Sequence, residues 1–94
     1  MPGPSRGRRP TAEAAQISNT DIVLLVLADL AGGERAVDVE DIAEAAWKIA
    51  PARFSWPRHQ QYPDLDAVDV TLRAAKKNEG LVAGAKSTGW MLTV

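Results

Sequence analysis

Helix start and stop signals divide much of this 94-residue chain into segments of helical length. Ser18 is predicted as the N-cap of a first helix, with Asp21 three residues later in a variant of the capping box. Gly32 and Gly33 are predicted to end this helix, because glycine suits the positions that follow a helix C-terminus. The apolar residues predicted to face the core recur at helical spacing: Ile22, Leu25 and Ala28, with Leu24 and Leu27 beside them.

Two further helices are predicted from similar signals. Asp38 is expected to cap a second helix, which ends at Pro51 because proline has no backbone N–H to donate. A third helix is predicted from the cap Asp64 to about Glu79, with Gly80 as its stop. The residues of the second helix that are predicted to face the core are Ile42, Ala45, Ala46 and Ile49.

The segments between and after these helices are predicted to be extended pieces and a loop. Residues 35–37 are expected to be briefly extended. Residues 51–63 contain three prolines, which exclude a long regular helix, so we expect an irregular loop there. Residues 81–84 and 89–94 are β-prone runs around a short turn and are predicted to form a hairpin. The aromatic residues expected to hold the loop on the core are Phe54, Trp56 and Tyr62.

The composition excludes several classes of protein. There is no cysteine and one histidine, which rules out disulfides and thiolate metal sites and argues against zinc. The longest apolar run, residues 22–28, is far shorter than the ~20 residues that span a membrane. No glycine-rich phosphate loop or nucleophile elbow is present. We therefore predict a cytoplasmic, non-enzymatic protein with no metal, cofactor or membrane contact.

Residues 1–16 are predicted to be a flexible basic tail, and residues 17–94 the folded domain. The tail contains three prolines, two glycines and the arginines Arg6, Arg8 and Arg9. Apart from Met1 it has no large apolar residue, so it offers little burial to offset the entropy lost on ordering. Its arginines are the kind of basic arm that contacts nucleic acid.

The order helix, short strand, helix, loop, helix, hairpin resembles the winged helix-turn-helix family over residues 18–94. The run NEGLVAG (residues 78–84) is similar to the step from that family's third helix into its first wing strand, and GWMLT (residues 89–93) to the returning strand. VEDIAEAAW (residues 39–47) is similar to the family's second helix. The resemblance implies a mainly α fold, with three helices and a C-terminal two-stranded wing. The chain departs from the family in its long loop before the third helix.

The resemblance also implies a double-stranded DNA-binding protein or module, of the kind found in transcriptional regulators. In this family the third helix commonly enters the major groove, and the wing contacts the backbone. Directing Val68, Leu72 and Ala75 inward places Arg73 and Lys77 together on the outer face. The residues predicted to contact DNA are Arg73, Lys76 and Lys77 in the third helix, Lys86, Ser87 and Thr88 at the wing tip, and Arg53 and Arg58 in the loop.

The charges are distributed unevenly along the chain. Residues 18–44 carry a net charge of −6, and residues 45–94 carry +3, so the basic part coincides with the predicted DNA-binding elements. Two features argue against DNA: the isoelectric point of 5.7 is low for a DNA-binding protein, and Asp66 lies at the start of the third helix. A homodimer is a common way for so short a module to lengthen its DNA site.

The alternative function is a winged-helix adaptor that binds protein within a larger assembly. The outer face of the third helix includes two apolar residues, Val70 and Ala74, and the preceding loop includes Trp56. An exposed tryptophan is a typical anchor of a protein interface, whereas the cations on the third helix also suit the C-terminal end of a helix dipole. The sequence leaves both functions open.

Overall fold

Four helices and two antiparallel hairpins make up residues 17–93, the part of the chain that this computed structural model describes. Together they form a small mixed α/β domain. The elements in chain order are α1 Asn19–Asp29, α2 Val39–Ile49, α3 Pro51–Phe54, β1 Ser55–Trp56, β2 His59–Pro63, α4 Leu65–Glu79, β3 Val82–Ala85 and β4 Gly89–Leu92. The predicted third helix is α4, and the predicted tail, residues 1–16, lies outside the described residues.

The predicted caps begin the three longer helices. Each cap offers a side-chain oxygen to a backbone N–H: Ser18 to Asp21 at 3.0 Å, Asp38 to Glu40 at 2.8 Å and Asp64 to Ala67 at 3.2 Å. Gly80 ends α4 in the left-handed conformation, with φ 64°, as predicted. These local signals therefore set the limits of α4 correctly.

The end of α1 differs from the prediction. The helix stops at Asp29, and the residue with a left-handed φ of 68° is Ala31 rather than a glycine. Gly32 is required for close approach instead, because a Cβ there would lie 2.5 Å from the side chain of Leu27. Its N–H donates to the carbonyl oxygen of Leu27 at 2.7 Å.

The core lies between α1, α2 and α4 and is closed by the C-terminal hairpin. Its largest fully buried side chains are Trp90 and Phe54. Helix α4 buries Val68, Leu72 and Ala75, as predicted. The buried residues of α1 are Ile22, Val23, Val26 and Leu27, and those of α2 are Val39, Ile42, Ala43 and Ala46.

The predicted inward faces of α1 and α2 were partly wrong. Leu25 and Ala28 of α1 are exposed, and Ile49 of α2 is also exposed. The physical reason for α1 is that residues 22–28 are all apolar, so the sequence contains no polar residue to mark the outer face. Leu25 is consequently 67% exposed, and Ile49 is 57% exposed.

Residues 51–63 are ordered into α3 and a first hairpin, so the prediction of an irregular loop was wrong. Pro51 is at the start of α3, where its missing N–H costs no helical hydrogen bond. Pro57 lies in the turn of the hairpin, and Pro63 ends β2. Phe54 is buried as predicted, but Trp56 and Tyr62 are each 47% exposed and do not hold this segment on the core.

The C-terminal hairpin is joined to the rest of the domain by backbone pairing. Val82 pairs with Leu92, and Ala85 pairs with Gly89, around the predicted turn. Val37, in the predicted extended piece, forms an antiparallel bridge with Trp90. Two backbone hydrogen bonds of 2.8 Å join these two residues. Within residues 17–93, no helix is long and apolar enough to cross a membrane.

Candidate functional site

A basic cleft lies between α4 and the C-terminal hairpin. It has a volume of about 550 Å³ and contains four cations and one acid. The residues that line it are Asp69, Arg73, Lys76 and Lys77 of α4, Gly84, Ala85 and Lys86 of β3 and the following turn, and Trp90 of β4. We call this set the basic cleft.

The sequence of α4 explains how three of the cations reach the cleft. Burial of Val68 and Leu72 fixes the rotation of the helix about its axis. Arg73 and Lys77, four residues apart, then lie one above the other on an exposed face. Cations in the last turns of a helix also interact favourably with its dipole, which helps the cleft to carry so much positive charge.

Lys76 connects the two sides of the cleft. Its Nζ donates a hydrogen bond of 2.9 Å to the carbonyl oxygen of Gly84 in β3. The same Nζ lies 5.9 Å from the centroid of the Trp90 ring, within the range of a cation–π interaction. Lys76 therefore positions the hairpin against α4 as well as contributing charge.

Arg73 is oriented by an acid in the preceding turn of α4. Its Nε donates to Oδ2 of Asp69 at 3.0 Å, and the two side chains are 64% and 12% exposed. Because this contact uses Nε, the terminal nitrogens of the guanidinium are left as donors at its exposed end. A planar fork held in this way suits a phosphate or a guanine edge.

Two of the residues that line the cleft each carry a buried polar atom without a partner. Oδ1 of Asp69 and Nε1 of Trp90 have no hydrogen-bond partner among the described residues. Burying a polar atom without a partner is energetically costly. The lining of the cleft thus combines exposed cations with two residues whose buried polar atoms are unsatisfied.

Lys86 extends the positive charge onto the turn of the hairpin. Its Nζ lies 3.7 Å from Oδ1 of Asp66, and the two side chains are 54% and 89% exposed. Water and salt screen an ion pair this exposed, so the charge of Lys86 remains accessible to a ligand. Ser87 and Thr88 follow it in the turn and are both exposed.

The structure brings together four of the eight residues predicted to bind DNA: Arg73, Lys76, Lys77 and Lys86. Ser87 and Thr88 adjoin them in the chain but do not line the cleft. Arg53 lies elsewhere, in α3, and donates to the carbonyl oxygen of Ile17 and to the side chain of Asn19. Arg58 is exposed in the turn between β1 and β2.

The residues of the protein-contact alternative lie on two different elements. Val70 is 55% exposed on α4, and Ala74 is exposed one turn later. Trp56 lies on the first hairpin, with its ring centroid 4.8 Å from that of Tyr62 and 6.3 Å from that of His59. These three aromatic side chains form an exposed cluster on the first hairpin.

The sequence prediction missed the roles of Asp69, Gly84 and Trp90 in the cleft. The spacing of Asp69 four residues before Arg73 was a usable signal, because opposite charges at that spacing meet on a helix. The contribution of Gly84 depends on how β3 approaches α4, which no local pattern reveals. Within residues 17–93, no three histidine or acidic side chains lie close enough together to hold a metal ion.

Comparison with known proteins finds no matching family model, and no curated protein or solved structure with significant similarity to the chain.

Proposed function

We propose that this chain is a winged helix-turn-helix module that binds double-stranded DNA and performs no catalysis, as in transcriptional regulators. The order of α1, α2, α4 and the C-terminal hairpin supports this proposal, and so does the bridge between Val37 and Trp90. The observation that carries it is the basic cleft, where cations from α4 and the hairpin converge.

In the proposed complex, α4 enters the major groove and the C-terminal hairpin is the wing. Arg73, held through its Nε by Asp69, presents its terminal nitrogens to a guanine or a phosphate. Lys77 and Lys86 neutralise phosphates on either side of the cleft, and binding gains from the counterions that they release. Val70 and Ala74 are exposed on the same helix and suit contact with thymine methyl groups.

The test is fluorescence anisotropy with a labelled mixed-sequence duplex of about 25 base pairs, titrated at low salt and at about 200 mM salt. We expect micromolar or tighter binding at low salt that weakens steeply at the higher concentration. Reversing both charges, with Arg73→Glu and Lys77→Glu, should abolish binding. No binding by the folded parent protein at low salt would refute the proposal.

Two matched charge reversals distinguish binding through the basic cleft from a general effect of the protein's net charge on DNA affinity. The side chain of Lys77 makes no hydrogen bond or ion pair within the described residues, so Lys77→Glu alters charge without breaking either kind of contact. It should reduce the slope of log affinity against log salt by about 1 or more. Arg35→Glu makes the same change in charge at an exposed position between α1 and α2, and it should leave the slope nearly unchanged.

The second candidate is an adaptor that contacts protein through Val70, Ala74 and Trp56. It is favoured by the exposure of Trp56, because tryptophan is a common anchor of interfaces, and by the exposure of Val70, which adds apolar surface. An apolar contact responds weakly to salt, whereas binding to several phosphates responds steeply. Val70→Glu should abolish partner binding in this case, and the charge reversals in the basic cleft should have little effect.

A further inference from the structure

The first hairpin carries three ring-bearing side chains at the protein surface, and none of them lines the basic cleft. Trp56 and Tyr62 are each 47% exposed, and His59 is exposed as well. The ring centroids lie 4.8 Å apart for Trp56 and Tyr62, 6.3 Å for Trp56 and His59, and 6.2 Å for His59 and Tyr62. We call these three side chains the aromatic cluster.

The rings of the aromatic cluster keep part of their surface available for stacking. Their planes meet at angles of 50°, 55° and 76°, so they do not form the parallel stack in which rings cover one another's faces. The hairpin that carries them is held by the buried Phe54 and by the hydrogen bond from Trp47 to Gln60. Aromatic side chains presented in this way offer large, flat apolar faces to a ligand.

The chain that carries the aromatic cluster is basic. Residues 45–63 contain no acid and three cations, Lys48, Arg53 and Arg58, although the whole chain has a net charge of −1. Arg58 is exposed in the turn between β1 and β2, next to His59 in the chain. Its side chain makes no hydrogen bond or ion pair within the described residues. The exposed rings are thus accompanied by an unpaired cation.

Rings and cation together select one class of ligand. A neutral sugar or a proline-rich peptide could pack on the rings but would gain nothing from the charge of Arg58. The bases of a duplex already stack on one another, so their faces are covered. Single-stranded nucleic acid exposes flat bases along a negatively charged backbone, and proteins bind it by combining aromatic stacking with cations.

We propose that the aromatic cluster binds single-stranded nucleic acid. One or two bases stack on Trp56 and Tyr62, and a phosphate pairs with Arg58. None of these residues lines the basic cleft, so this second site does not depend on the binding of duplex DNA there.

Fluorescence anisotropy with a labelled oligothymidylate of about 12 nucleotides tests the proposal against an abasic strand of the same length. The parent protein should bind oligothymidylate about tenfold more tightly than the abasic strand, because only the former has bases to stack. Trp56→Ala and Tyr62→Ala should each remove most of this difference, whereas Trp56→Phe should keep most of it. Leu25→Ala is the matched control, since it shortens an exposed apolar side chain on α1 and should change nothing.

Two further measurements separate the aromatic cluster from other cationic surfaces. Arg58→Gln should reduce the slope of log affinity for oligothymidylate against log salt by about 0.7, the value for one phosphate contact on a single strand. The double charge reversal Arg73→Glu and Lys77→Glu in the basic cleft should leave the preference for oligothymidylate over the abasic strand intact. Circular dichroism melting of each variant confirms that it is folded.

Three results would overturn the proposal. The first is a folded parent protein that does not bind oligothymidylate at low salt, or binds the abasic strand equally well. The second is an undiminished preference for oligothymidylate in both Trp56→Ala and Tyr62→Ala. The third is a Trp56→Ala variant that loses a protein partner but keeps its full affinity for oligothymidylate, which would assign the aromatic cluster to protein binding.

Discussion

The two hairpins of this domain have similar lengths but opposite relations to the core. The first, β1 and β2, exposes Trp56 and Tyr62 at 47% each, and every residue of β2 before Pro63 is exposed. The second, β3 and β4, buries Val82 and Trp90 almost completely. Isolated two-stranded hairpins are marginal in water, so each must be stabilised by something outside itself. The two hairpins differ in what provides that support.

The C-terminal hairpin is supported by side-chain burial and by backbone pairing along β4. Trp90 exchanges two hydrogen bonds of 2.8 Å with Val37, and the N–H of Leu92 donates to Gly32 at 2.8 Å. Gly84 allows its strands to approach closely, because a Cβ at that residue would lie 2.1 Å from the carbonyl oxygen of Gly89. This hairpin is therefore part of the core, and it also forms one wall of the basic cleft.

The first hairpin is supported mainly where it joins the helices. Phe54, just before β1, is fully buried, and its carbonyl oxygen accepts from the N–H of Asp64 at 2.7 Å. Trp47 of α2 holds β2 in place through a side-chain hydrogen bond, in which its Nε1 donates to the carbonyl oxygen of Gln60 at 2.9 Å. We expect the part of this hairpin beyond these contacts to open more readily than the C-terminal hairpin.

Among the substitutions that compare the two hairpins, removal of the buried side chain of Trp90 should have the largest effect on stability. Trp90→Ala is expected to lower the free energy of unfolding by about 3–5 kcal/mol, through lost burial and a cavity in the core. Because the free energy of unfolding of native proteins is only about 5–15 kcal/mol, a fraction of the Trp90→Ala molecules should be unfolded at room temperature. Urea unfolding followed by circular dichroism measures the loss.

A conservative replacement provides the control for that loss. Trp90→Phe keeps an aromatic ring at the site and removes Nε1, which has no partner among the described residues. It should therefore be less destabilising than Trp90→Ala. A loss below about 1 kcal/mol for Trp90→Ala itself would show that this side chain does not anchor the hairpin.

Local signals were sufficient to predict α4 and the C-terminal hairpin. Asp64 and Gly80 limit the helix through their own backbone conformations and hydrogen bonds, which depend on few distant residues. Arg73 and Lys77 could be placed together from the helical period alone. The convergence of Lys86 with them could be expected only from the resemblance, because it depends on how the hairpin folds back on α4.

The outer faces of α1 and α2 could not be predicted in the same way. Residues 22–28 contain no polar residue, so more than one apolar stripe has helical spacing. The tertiary packing selects the stripe containing Val23 and Val26, and it leaves Leu25 outside. The exposed apolar surface formed by Leu25 and Ile49 therefore became visible only in the structure.

An intermediate loss of stability is expected on changing Trp47, the side chain that donates a hydrogen bond to β2. Trp47→Phe keeps a ring in this half-buried position but removes the hydrogen bond to Gln60, so the free energy of unfolding should fall by about 1 kcal/mol. Amide hydrogen exchange should accelerate in β2 and remain unchanged in β4. Equal acceleration in both strands would mean that the two hairpins open together, contrary to the comparison.

The smallest effect is expected at the exposed tryptophan of the first hairpin. Trp56→Ala removes ring contacts with Tyr62 and His59, whose centroids lie 4.8 and 6.3 Å away. Such aromatic contacts contribute about 0.5–1.5 kcal/mol, and the ring is half exposed, so we expect a loss near the lower limit. The same urea experiment measures it, with Trp90→Ala as the reference. A loss as large as that of Trp90→Ala would mean that the first hairpin contributes as much to the stability of the domain as the C-terminal hairpin.

The same variant also bears on the two proposed functions. Unchanged affinity of Trp56→Ala for duplex DNA would agree with a duplex site confined to the basic cleft. Loss of binding to a protein partner would instead favour the adaptor function.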